Sequence, residues 1–102
     1  MVVEYIRYSI LDPARQKALI VSYQRAAKSL DAASECHAYE LSQCEEEPSS
    51  LVLRIEWDST RAHLNGFRKG PHFREFFAAI GDYVKEIAEM RHYQVTDVAR
   101  HK

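Results

Sequence analysis

A single α+β domain with the element order βαββαβ is what this chain predicts, and three features carry that expectation. Four stretches rich in β-branched and aromatic residues suit strands, and two others repeat apolar residues at helical spacing. Asp, Pro and Gly punctuate the junctions between them. A length of 102 residues leaves room for one hydrophobic core and not for two.

Val2 to Leu11 reads as the first strand. Asp12-Pro13 then opens a helix, because Asp can cap the free amides and Pro at the first helical position gives up no bond. Leu19, Tyr23, Ala26, Ala27 and Leu30 keep helical spacing to Leu30, and Asp31 to Glu35 forms the exit loop. Cys36 to Cys44 is a second strand, with His37, Tyr39 and Leu41 on one face. The polar turn Glu45-Glu46-Glu47-Pro48-Ser49 joins it in a hairpin to a third strand, Leu51 to Trp57. There Leu51, Leu53, Ile55 and Trp57 share one face, and Val52, Arg54 and Glu56 the other.

Asp58 or Ser59 caps the next helix, which runs to about Lys69 until Gly70-Pro71 interrupts it, since Pro71 has no N–H to donate. Phe73, Phe76, Phe77 and Ile80 then form an apolar stripe at i, i+3, i+4 and i+7. Gly81 ends that helix, Asp82 to Lys85 makes a turn, and Glu86 to Thr96 is the last strand. The domain thus spans 1–97, with 98–102 a polar tail. This order is the ferredoxin-like split arrangement, an antiparallel four-stranded sheet with both helices on one face. Tyr5, Tyr8, Tyr39, Val52, Tyr93 and Val95 are expected on the sheet's remaining face. So many large side chains imply a partner, most simply a second copy of the chain, and hence a homodimer.

Composition narrows the function. A net charge of −1 with scattered basic residues offers no footprint for nucleic acid. The first eleven residues carry Glu4 and Arg7, which a signal-peptide core would exclude, and no apolar run is long enough for a bilayer. A soluble cytoplasmic protein with no membrane partner is expected. Cys36 and Cys44, on one strand, lie too far apart for a disulfide and form no Cys-x-x-Cys pair. The five histidines show no ligand spacing, so no metal site is expected. No dinucleotide fingerprint is present either, and no cofactor is expected.

What remains is a pocket between the sheet and the interrupted helix. Leu53 and Trp57 can point there from the strand, and Phe67, Phe73, Phe76 and Phe77 from the helix. These side chains suit a flat aromatic ligand, or else they simply fill the core. Trp57 can donate its ring N–H, or bond a backbone carbonyl as a core residue would. His63 and His72 are the candidate bases. His72 falls in the first turn of the resumed helix.

Ile55-Glu56-Trp57-Asp58-Ser59-Thr60-Arg61-Ala62-His63-Leu64, followed by Gly70-Pro71-His72-Phe73, resembles the central signature of the antibiotic biosynthesis monooxygenase family. The resemblance is clear from Cys36 to Thr96. It implies a dimeric α+β barrel that oxidises a quinol or polycyclic phenol with molecular oxygen and no cofactor. Trp57 would then be a wall and hydrogen-bond donor of the cavity, and His72, in the small-Pro-His-Phe motif, the base. The chain departs from relatives at several positions. Phe67 stands where many quinol oxidisers place a His, and Leu53 where some hold a polar donor. The Asn and helix Trp of haem-degrading relatives are missing as well. The alternative functions are a non-catalytic dimeric module binding a small aromatic ligand or haem, and a dimerisation domain with a filled core.

Overall fold

A computed structural model describes all 102 residues. The strands β1 (Val2–Ser9), β2 (Cys36–Gln43), β3 (Ser50–Trp57) and β4 (Ile87–Gln94) form one antiparallel sheet in the order β2-β3-β1-β4. The helices α1 (Pro13–Ala32) and α2 (Phe73–Ile80) lie on one face, in the βαββαβ order expected. The central pair β1–β3 runs in unbroken register from Val2↔Trp57 to Ser9↔Ser50. Glu4, Ile6 and Tyr8 of β1 therefore meet Leu51, Leu53, Ile55 and Trp57 of β3 under the helices, all buried.

Asp12 caps α1 as its sequence predicts, its side chain accepting the Ala14 N–H at 3.0 Å with Pro13 in the first turn. The buried stripe of α1 is Gln16, Leu19, Tyr23, Ala26 and Leu30, steps of three and four that keep one face on the sheet. Each fully buried leucine in it contributes on the order of 1.5–3 kcal/mol. No helix is long and apolar enough to cross a membrane.

The structure departs from the sequence expectations in four places. A bulge between Cys36 and Ala38 pairs Cys36 with Trp57 and Tyr39 with Ile55, so His37 leaves the face of Tyr39 and Leu41. His37 is exposed and bonds the Asp58 carboxylate instead. Second, the helix after β3 begins at Thr60 but widens at once into a π-helical turn, Ala62–Phe67. Ser59 supplies its cap, accepting the Ala62 N–H at 2.9 Å, and Arg68 N–H reaches back to the His63 carbonyl at 3.0 Å. Gly70 follows because a Cβ there would sit 2.6 Å from the Gly66 carbonyl oxygen.

Third, α2 buries Phe76 and Ile80, half-buries Phe73 and leaves Phe77 46% exposed, so its apolar stripe is narrower than expected. The expected turn after it is a 3₁₀ segment, Gly81–Glu86, held to α1 where Arg15 Nε donates to Glu86 at 2.7 and 2.9 Å. Fourth, the open sheet face is less apolar than expected. Tyr8 is fully buried on the helix side, its hydroxyl 2.5 Å from that of Tyr23, and Tyr39 bonds Asp31 beside α1. Tyr5, Val52 and Tyr93 remain on the open face, Tyr5 and Tyr93 packed edge to face at 5.5 Å. Ion pairs of Arg54 with Glu56 and Arg91 with Glu89 surround them. Val95 to Lys102 lie outside helix and strand.

Candidate functional site

Beneath the π-helical turn and α2 lies a cavity of about 250 Å³, closed on its floor by β1, β3 and β4. Trp57, His63, Phe67, Phe73, Phe76 and Phe77 all line it, which brings six of the eight candidate residues together. Trp57 is fully buried, with the His63 ring stacked on it at 4.6 Å and Phe67 leaning on it at 5.0 Å. Phe67 in turn meets Phe73 and Phe76 edge to face. The widened turn accounts for part of this, since it carries both His63 and Phe67 inward from one short segment.

The other two candidates lie elsewhere. Leu53 lines a second cavity, about 300 Å³, between α1 and the β2–β3 hairpin. It shares the buried face of β3 with Ile55 and Trp57, two and four residues further on, but lies with Leu51 toward the α1 end of that face. His72 sits at the N-cap of α2, half-buried, makes no side-chain capping bond and does not line the Trp57 cavity.

Sequence reasoning missed the polar groups of the cavity. Glu4 faces inward from the centre of β1 and is 1% exposed. Its Oε1 accepts the Trp57 ring N–H at 3.1 Å, while Oε2 has no partner. The indole donor is thus committed to a carboxylate, neither to a backbone carbonyl nor to a ligand. Cross-strand pairing sets His92 of β4 directly beside Glu4, and so on the helix side of the sheet and not at its open face. His92 Nε2 lies 2.7 Å from His63 Nδ1, and Glu4 Oε1 lies 3.6 Å from His63 Nε2.

Charge and proton positions follow from these contacts. Burial raises the Glu4 carboxyl above its ordinary value, against smaller opposing effects of the Trp57 bond and the Arg68 guanidinium. Burial, helped by Arg68 and His92, pushes the His63 imidazole down to about 3, so this ring is neutral. Arg68 Nε–H donates to His63 Nε2 at 3.3 Å, which leaves the ring proton on Nδ1, donated to His92. The site is an aromatic slot with one free buried carboxyl oxygen and two imidazoles linked by a single proton.

Comparison with known proteins bears on the whole arrangement. Residues 1–79 match the family model described as antibiotic biosynthesis monooxygenase. The Bacillus subtilis protein YczJ is 25% identical over 73 residues, covering 72% of this chain and 77% of that one. A Bordetella bronchiseptica structure assigned to the antibiotic biosynthesis monooxygenases superposes with a TM-score of 0.76 at 22% identity, over 93% of this chain and 96% of that one. Rv0793 from Mycobacterium tuberculosis superposes at 0.71 and 23% identity, over 98% and 100% of the two chains.

Proposed function

Because the chain belongs to the antibiotic biosynthesis monooxygenase family, we propose that it oxidises a quinol or polycyclic phenol with molecular oxygen in the Trp57 cavity, without a cofactor. The observation that carries this reading is the unpartnered Oε2 of Glu4, buried in the wall of a slot otherwise lined by rings. A flat aromatic substrate fills such a slot, and a substrate proton is what a free, buried carboxylate oxygen accepts. Loss of that proton leaves an electron-rich ring carbon that can reduce oxygen. For an anthrone-like ring CH₂, one oxygen atom becomes the new carbonyl and the other leaves as water with the two hydrogens.

Each residue then has a task. Trp57 is wall and anchor, its N–H fixing Glu4 so that Oε2 is the oxygen left free. His63 stacks on the indole and closes one side, with Phe67, Phe73 and Phe76 forming the rest. Glu4 takes the role of base that the sequence motif suggests for His72, because Glu4 lines the cavity and His72 does not. The direct test is oxygen uptake by purified protein, in the presence of a chelator and without added flavin, across a panel of quinols and anthrones. Uptake above the uncatalysed rate is expected. A panel with no such uptake, but with saturable quenching of Trp57 fluorescence, would favour a module that only binds aromatic ligands.

The same reading includes a homodimer formed through the open sheet face. Tyr5 and Tyr93, 37% and 48% exposed, stand there among paired charges, a mixture suited to an interface core with a polar rim. Light scattering is expected to give twice the 11.8 kDa chain mass. Tyr93→Glu, which places a charge against Tyr5 on that face, is expected to give the single chain mass.

A further inference from the structure

The geometry points to a divalent transition-metal site formed by Glu4, His63 and His92, with the Arg68 guanidinium beside it as a competing charge. One ligating atom from each of the three residues lies within 4.8 Å of the other two. Two imidazoles and a carboxylate on one side of a cavity are a donor set that suits zinc, iron, nickel or copper and leaves coordination positions open.

Two features of the cluster ask for a cation. Glu4 Oε2, on a side chain 2% exposed, has no hydrogen-bond partner, which is a costly state for a buried carboxylate. Beside it His63 Nδ1 and His92 Nε2 share one proton across 2.7 Å. Ligands about 2.1 Å from a common ion stand roughly 3.0–3.4 Å apart. For the two imidazoles a shift of a few tenths of an ångström lets a metal take the place of that proton, and the Glu4 carboxylate, inside the 4.8 Å limit, turns in by up to about 1.5 Å to complete the set. His92 is half-buried and gives the ion a way in from the surface.

Arg68 opposes this arrangement as it stands. Its Nε–H points at His63 Nε2 from 3.3 Å, and that atom must carry the ring proton once Nδ1 binds a metal. Arg68 is an exposed residue, however, and its long side chain can swing into solvent. A metal at this site therefore has to displace a mobile positive charge. His92 lies beyond residues 1–79, which the family model matches. The expectation drawn from histidine spacing, that no metal binds, considered neighbours along the chain and not across strands.

The inference stands on donor geometry and does not rest on the oxidation reading. Its test is titration of the intact chain with Co²⁺ under nitrogen, without substrate, followed by d–d absorption and competition with Zn²⁺. One Co²⁺ per chain is expected. His92→Ala is expected to weaken binding by about a hundredfold, and Arg68→Ala to tighten it roughly tenfold. Both positions are at least partly exposed, so both variants should fold, and circular dichroism verifies it. No saturable binding of Co²⁺ by Arg68→Ala up to about 0.1 mM, far above the concentrations at which structural metal sites fill, would overturn the proposal. So would binding unchanged by His92→Ala, since it would then come from the other histidines. A lack of oxygen uptake bears only on the proposed oxidation and leaves this result untouched.

Discussion

Trp57→Phe is expected to lower stability by about 3–4 kcal/mol, more than the loss of ring area alone predicts. Phe keeps a ring against His63 and Phe67 but removes the only hydrogen bond that Glu4 receives. Both carboxyl oxygens would then be buried without partners, and stranding one acceptor costs about 1–3 kcal/mol. The remainder comes from the space the smaller ring leaves in a fully buried position. Urea unfolding of the native chain and the variant measures the difference. A second variant separates the two causes. Glu4→Leu in the Trp57→Phe background replaces the stranded carboxyl by an apolar side chain of similar volume, a change that is often neutral or stabilising. Most of the lost stability should return. If Trp57→Phe costs the same with Leu at position 4 as with Glu, the indole–carboxylate bond contributes nothing and packing alone explains the loss.

How much of this was legible in the sequence differs by element. The alternation in β3, Leu51 to Trp57, specified both its faces, because every second residue there is large and apolar and only one side of the strand lies under helices. The Gly70-Pro71 break and the Asp12-Pro13 start were equally plain, since each rests on a backbone restriction and not on context. Five aromatic residues of the cavity could be named because they fall on strand or helix faces that must be buried, and His63 because it is a candidate base close to them in the chain.

The polar half of the site was not legible, and the cause is pairing between distant strands. Glu4 in a strand reads as an outward charge, and its inward orientation depends on Val3 and Tyr5 facing the other side. His92 comes beside it only through the β1–β4 register, which no local pattern specifies. Tyr8 was misplaced by the same one-residue ambiguity, its burial depending on Tyr23 of α1. The bulge after Cys36 and the π-helical turn after Thr60 each shift a side chain by one position. A charged residue flanked by β-branched and aromatic neighbours in a first strand was the one signal available for Glu4.

Glu4→Gln is expected to reduce oxygen uptake by about 10²–10³-fold while leaving the fold intact. The amide has nearly the shape of the carboxyl, and its oxygen can still accept the Trp57 N–H at the position Oε1 occupies. What is lost is an atom able to take a substrate proton inside the cavity. The KM for a quinol should change little, because the aromatic walls of Phe67, Phe73 and Phe76 are unaltered, so the fall should appear in kcat. His72→Ala provides the contrast. That side chain neither lines the cavity nor caps α2, so its removal should change the rate by less than about threefold. The two variants assayed side by side decide which residue is the base. A deep loss with His72→Ala and normal turnover with Glu4→Gln would return the role to the Gly-Pro-His-Phe motif. It would also mean that α2 moves when substrate binds, since nothing else brings His72 to the cavity.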